Sequence, residues 1–288
     1  MSLNLYFYVL FKINNIEFNY KKLTKLTFFW YTLIGDYMYI DTHCHLSKED
    51  YDDIEKIIED NRNNNVIKII ISGCTRDSIN ESIELANKYE DVYITLGYHP
   101  SEVLTTTDAD LDKLKVQLKN SKVVGVGEIG LDYHYGKEDI SLQKELFRKQ
   151  LKIADEMSLP VVIHSRDATF DTINILKEFP NLKGDIHCFS GSIETAKIYI
   201  NMGYKLGIGG VVTFKNSNLP KVVLEIGLNN IVLETDSPYL SPEPFRGRQN
   251  SSKYLPIIAN KIADIFDLPI ELVSNRILEN TYELFDLK

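Results

Sequence analysis

Three cysteines are all that this chain of 288 residues contains: Cys44, Cys74 and Cys188. An odd number scattered over so long a chain does not make a disulfide framework, and it fits a reducing, cytoplasmic setting. A basic excess is missing too. The formal net charge is −9, which argues against a strip that grips nucleic acid by bulk electrostatics. Bound cations can still create local positive potential inside an acidic protein. The apolar run at 26–34 is too short to span a bilayer, and no small-residue cleavage site follows it. Neither a membrane nor an obligate protein partner is implied. No internal repeat, low-complexity tract or linker splits residues 38–288, so one domain is expected there.

The first 37 residues differ from the rest. They hold 11 of the 31 aromatic residues and the single Trp30, with no proline or alanine. Four lysines against Glu17 and Asp36 give this stretch a charge of +2, leaving −11 for the remainder. It reads neither as a targeting peptide nor as a strand. We expect residues 1–37 to be an extension outside the fold, with Met38 as the natural start. Codons GGA-GAY for Gly35-Asp36 would place a purine-rich ribosome-binding sequence just upstream.

From Met38 onward, β-branched apolar runs alternate with helical patterns. The runs are YIDTH (39–43), IKIIISG (67–73), VYITLG (92–97), VVGVGE (123–128), PVVIHS (160–165), GDIHCF (184–189), YKLGIGG (204–210) and NIVLETD (230–236). Nearly continuous apolar runs suit parallel strands buried on both faces. Between them lie segments such as SLQKELFRKQLKIADEMSL, where Leu142, Leu146, Phe147, Leu151 and Ala154 recur at helical spacing. Eight strands alternating with helices over about 250 residues predict an α/β fold, a (β/α)8 TIM-type barrel. A doubly wound sheet is the alternative, because periodicity does not show closure. The tail reads as two closing helices on the same domain.

The six histidines are His43, His45, His99, His134, His164 and His187. Five fall at or just after the C-terminal end of a predicted strand. Eight such ends of about four residues cover roughly a ninth of the chain, so chance places fewer than one there. In barrels this end is the catalytic rim. His43 and His45 are two apart, so both point the same way while Cys44 points opposite and is assigned to packing. Glu128, His164, His187 and Asp236 sit at other strand ends, and Gly125 and Gly127 permit close approach beside Glu128. Four histidines and two carboxylates form a mixed nitrogen and oxygen set that suits Zn²⁺, Mn²⁺ or Mg²⁺. Six ligands exceed the needs of one catalytic ion, whereas two divalent ions bridged by a carboxylate use them all. Buried polar residues paired with one another give the same pattern without metal.

The segments DTHCHL, GYHP, GEIGLDY, IHSR, HCFSG and ETDSPYL, in this order and spacing, resemble the TatD family of metal-dependent hydrolases from Met38 to the C-terminus. That family consists largely of divalent-metal-dependent nucleases, many of them 3′→5′ exonucleases on DNA. The resemblance implies one metal held by His43, His45, Glu128 and Asp236. It implies a second held by Glu128, His164 and His187, with Glu128 bridging. His99 resembles the histidine that meets the substrate phosphate. After TDSPYL the family commonly continues with a basic Arg-Gly-Lys-type patch and Asn-Glu-Pro. Here Arg246, Arg248 and Asn250 remain, and Ser251-Ser252 replace Glu-Pro.

The expected chemistry is hydrolysis of a phosphodiester by metal-activated water. Asp236 orients the water and accepts its proton, Glu128 bridges, and His99, Arg246 and Arg248 bind the phosphate. DNA ends or single-stranded DNA are the expected substrate. A carboxylic ester, lactone or amide is the alternative, because the same activated water attacks a carbonyl carbon. A non-catalytic metal-binding scaffold is a third reading. Arg166 follows His164 by two and points toward the same rim, where a salt bridge to a neighbouring carboxylate is the simpler reading. His134 lies in a loop, to touch substrate or to stand in solvent, and Asp132 either backs the metal ligands or caps the loop.

Overall fold

Valine- and isoleucine-rich runs build eight strands, each followed by a chain segment that returns across the outside. The computed structural model describes residues 37–134 and 139–287. The strands are β1 (Tyr39–Cys44), β2 (Val66–Gly73), β3 (Val92–Leu96), β4 (Val123–Asp132), β5 (Val161–Arg166), β6 (Gly184–Ile186), β7 (Tyr204–Ile208) and β8 (Ile231–Leu233). They pair in sequence order, every neighbouring pair parallel. The helices between them are α1 (Ile54–Asn63), α2 (Arg76–Lys88), α3 (Asp108–Gln117), α4 (Ile140–Met157), α5 (Thr169–Leu176), α6 (Ile193–Asn201) and α7 (Leu219–Ile226). Two more, α8 (Leu255–Phe266) and α9 (Ile270–Phe285), close the chain. This is the expected (β/α)8 barrel rather than a doubly wound sheet. The extension expected at 1–37 lies outside the described residues except for Tyr37, whose hydroxyl donates to Glu271 Oε1 at 3.0 Å. Among the described residues no helix is long and apolar enough to cross a membrane.

Local chemistry fixes the helix starts. Thr75 and Ser78 form a reciprocal capping box on α2, and Thr107 and Asp110 form one on α3. Leu142, expected on the apolar face of α4, is exposed, because the buried face of that helix begins one residue later at Gln143. Strand lengths also differ from the sequence reading. β4 runs on past Glu128 to Asp132, because Ile129, Gly130, Leu131 and Asp132 continue to pair with β5. β8 stops early because its chain turns toward β1, where the N–H groups of Thr235 and Asp236 both reach the His43 carbonyl, at 3.4 and 3.0 Å.

That turn closes the barrel. Asp41, fully buried in β1, accepts from the Thr235 N–H at 3.0 Å and the Thr235 hydroxyl at 2.5 Å. Thr42 Oγ1 donates back to the Leu233 carbonyl at 3.0 Å. Burial drives the Asp41 carboxyl up to about 7, while these hydrogen bonds pull against it. At the opposite end, Ile40, Ile70, Tyr93, Val124 and Val162 pack with Phe285 and Leu287 from the C-terminal segment. The bottom of the barrel is therefore filled with apolar side chains, and polar residues are left to the top.

Removing the Asp41 carboxylate strands the buried Thr235 hydroxyl and leaves the Thr235 N–H only its longer contact, 3.4 Å, to the His43 carbonyl. Asp41→Ala is expected to lower unfolding free energy by about 2–4 kcal/mol, read from urea midpoints. Asp41→Asn, which keeps an acceptor, should lose less than half of that. Equal losses for the two variants would remove the seam from its assigned role.

Candidate metal centre

The carboxylate of Glu128 lies at the centre of the top layer. Its Oε2 is 3.6 Å from His43 Nε2 and 3.7 Å from His45 Nε2. Its Oε1 is 2.6 Å from His164 Nδ1 and 3.6 Å from His187 Nε2. Asp236 Oδ1 stands 3.7, 3.6 and 3.8 Å from His43, His45 and His187. All six residues expected as ligands thus converge, although β1, β4, β5, β6 and β8 supply them separately. The two Nε2 atoms of His43 and His45 lie 3.3 Å apart, as the HxH spacing required. Asp236 takes a left-handed backbone (φ 54°) just past β8, which turns its carboxylate inward. Ligand atoms of His43, His45 and Glu128, of His43, His187 and Asp236, and of Glu128, His164 and His187 each lie within 4.8 Å of one another. Such a donor set fits a divalent cation of borderline or hard character. His43, Glu128 and His187 are buried, while His45, His164 and Asp236 are partly open to solvent, so the centre has a mouth.

The electrostatics follow from packing imidazoles around carboxylates. Burial disfavours a charged His164, yet Asp132 and Glu128 outweigh it and raise the ring to about 9. Burial likewise opposes a charged His187, and Glu234, Asp236 and Glu128 raise it to about 10. Burial would lift Glu128, but the surrounding rings hold it well below the usual carboxylate range. Without metal, protons on histidines stand where cations would neutralise the carboxylates.

Several contributors escaped the sequence reading. Glu234 Oε1 lies 3.3 Å from His187 Nδ1, an ion-pair contact off the hydrogen-bond axis, and accepts from the Cys188 N–H at 2.6 Å. Its other oxygen fills the space beside Gly207, where an added Cβ would fall 2.1 Å away. Asp185 is buried next to it, and burial raises both carboxyls. Asp132, left open between rim and cap, places Oδ2 3.2 Å from His164 Nε2. Gln143 clamps the Asp132 backbone from α4 with two hydrogen bonds of 2.9 Å. Carboxylates on the far ring nitrogen fix an imidazole's orientation and strengthen it as a donor. Alternation was the available signal for Glu234, two residues before Asp236, and for Asp41, two before His43.

His99, Asp132 and His164 form a fourth group within 4.8 Å. It shares His164 with the group of Glu128, His164 and His187, and a neutral His164 has one lone pair to give. His99 packs edge-on to His164, ring centroids 4.5 Å apart, with Nε2 3.9 Å from Glu128 Oε1. Its Nδ1 accepts from the Ser101 N–H at 3.1 Å, so in the neutral ring the proton resides on Nε2, facing the centre. Burial lowers this ring to about 4, which keeps it neutral near pH 7. His134 pairs with Asp167 at 3.2 Å, and Arg166 pairs in register with Asp132. Arg246 and Arg248 are exposed; the first guanidinium lies 4.4 Å from the Phe214 ring centroid and the second 5.9 Å from that of Phe245.

A closed parallel barrel with this rim of histidines and carboxylates defines a metal-dependent hydrolase. Comparison with known proteins gives the family: the model described as TatD related DNase matches residues 40–286, and the chain belongs to the TatD family. It is 41% identical over 252 residues to the uncharacterized metal-dependent hydrolase YabD of Bacillus subtilis, covering 86% of this chain and 99% of that protein. The crystal structure of the TatD homologue YjjV of Escherichia coli superposes with a TM-score of 0.80 at 31% identity, covering 87% of this chain and 98% of that one. A TatD family hydrolase of Entamoeba histolytica shares the fold, with a TM-score of 0.77 at 23% identity, 86% of this chain and 98% of that one.

Against burial, Asp236 and Glu128 likewise raise His45 well above the ordinary imidazole range. Because His45, His164 and His187 all favour the protonated form without metal, a cation that takes them must displace those protons. Calorimetric titration of metal-stripped protein with Mn²⁺, in buffers of different ionisation enthalpy, is expected to show release of about two to three protons per chain. Apparent affinity should climb as pH rises toward 9. Binding without proton release, or affinity flat across that range, would contradict the protonated ground state.

Proposed function

We propose that this hydrolase is a deoxyribonuclease of the 3′→5′ exonuclease kind, cleaving phosphodiester bonds at DNA ends or in single strands. The observation that carries the reading is the Glu128 carboxylate, whose two oxygens face two different histidine pairs. One half-centre comprises His43, His45 and Asp236, the other His164 and His187, and Glu128 belongs to both. Two divalent ions, Mg²⁺, Mn²⁺ or Zn²⁺, would supply polarisation of a phosphoryl oxygen and a bound water with its pKa lowered toward neutrality.

The chain's own groups account for the remaining steps. Asp236, partly open to solvent beside His45 and His43, accepts the proton of the attacking water and holds that water in line. The Nε2–H of the neutral His99 donates to a phosphate oxygen, adding a dipole where negative charge builds up. Glu234 and Asp132 hold His187 and His164 in place throughout. Arg246 and Arg248, carried on the aromatic faces of Phe214 and Phe245, offer planar, permanently charged forks to the rest of a polyphosphate backbone. A chain of net charge −9 suits short ends better than long duplex tracts.

Metal-stripped enzyme replenished with Mg²⁺ or Mn²⁺ is expected to release nucleotides from labelled single-stranded DNA faster than from blunt duplex ends. Glu128→Ala should abolish release, and Asp236→Asn should lower kcat by about 10²–10⁴-fold, both with folded-state melting curves. Nucleotide release by Glu128→Ala at the wild-type rate would refute the mechanism. Turnover of esters or lactones alone would move the activity to carbonyl substrates.

A further inference from the structure

Tyr239 leaves 59% of its surface in water, although its backbone is fixed on both sides. Its N–H donates to the Asp236 carbonyl at 2.9 Å, and its carbonyl accepts from the Asn250 side-chain amide at 2.6 Å. The same amide donates to the Thr235 carbonyl at 2.8 Å, tying the loop to the end of β8. Asn250 is itself buried, with its N–H on the Pro238 carbonyl at 2.9 Å and its carbonyl accepting the Tyr51 hydroxyl at 2.8 Å. The loop is therefore built around a buried amide, and it holds a large aromatic ring outward. That ring lies beside the mouth: its centroid is 6.2 Å from the His45 imidazole, with the planes at 66°. Leu240 next to it is exposed as well, so an apolar shelf borders a polar, cation-binding well.

We propose that Tyr239 is a stacking platform for the nucleobase adjoining the scissile phosphate. This rests on the nuclease reading given above. A phosphodiester at the centre has a sugar and base as its immediate neighbours, and only the base offers a flat π face to a rigid ring. Stacking tolerates any base, because every base has such a face, so the platform favours a residue with a base over one without and does not read sequence. Truncation should therefore act on binding of base-bearing ends and spare the proton-transfer groups.

The test uses the full, metal-loaded chain and two labelled oligonucleotides, one ending in a normal nucleotide and one in a tetrahydrofuran abasic residue. The wild type is expected to show a KM about tenfold lower for the base-bearing end, equivalent to about 1.4 kcal/mol. Tyr239→Phe should keep that preference. Tyr239→Ala and Tyr239→Leu should both raise KM for the base-bearing end about tenfold, leave the abasic end unaffected, and change kcat less than threefold. The leucine variant separates a flat ring from mere apolar bulk, and unchanged melting temperatures exclude misfolding. If wild type and Tyr239→Ala handle the two ends alike, the platform is overturned while the nuclease stands. If metal-loaded wild type releases no nucleotide from either end, the nuclease reading falls and the platform with it.

Discussion

A parallel sheet of eight strands holds a centre only if its first and last strands meet. Here that junction is a buried carboxylate, Asp41, bonded to the backbone and hydroxyl of Thr235 at 3.0 and 2.5 Å. The junction brings His43 and Asp236 to 3.7 Å of each other. A charge in so dry a place is costly, as the raised Asp41 carboxyl shows, and the two Thr235 donors, with the His43 N–H at 3.3 Å, offset part of that cost. Closure also explains the short β8: past the Glu234 N–H, which still reaches the Ile208 carbonyl of β7 at 3.3 Å, the N–H groups of Thr235 and Asp236 turn to β1.

The same tension between burial and charge recurs above the junction. Glu128, Asp185 and Glu234 are all buried, and so are His43 and His187. Glu128 stays ionised because rings surround it; Asp185 and Glu234 lie side by side and are pushed upward instead. The outcome is an ordered stack. Apolar side chains plug the bottom, protonatable carboxyls back the histidines, and the ionised Glu128 lies among the rings above them. Gly207 belongs to this stack in spite of its lack of chemistry, because the Glu234 carboxylate occupies the volume a side chain would need.

Much of this was legible in the chain. The alternation of apolar runs with amphipathic segments gave the barrel, and the coincidence of histidines with strand ends gave the rim. Side-chain alternation correctly paired His43 with His45 and turned Cys44 away. What stayed hidden is pairwise and long-range. That Glu234 backs His187, or that Asp132 backs His164, depends on which strands become neighbours and on register, and no local pattern encodes either. Strand ends were misjudged where hydrogen-bonding partners changed, at β4 and β8. The exposure of Leu142 depended on where α4 begins to touch the sheet, which periodicity leaves free.

Two of these ligand groups draw on very different lengths of chain. Glu128, His164 and His187 come from three consecutive strands, β4 to β6. His43 and His45 must wait for Asp236, contributed by the far end of the barrel across a junction whose partners are 194 residues apart. During folding, contacts of short separation form at lower entropic cost than those that close a long loop. The group of Glu128, His164 and His187 therefore closes shorter loops than the group completed by Asp236, which needs β1 and β8 to meet. The full six-residue set is in this way tied to closure of the ring, because Asp236 meets His43 only across the junction of β1 and β8.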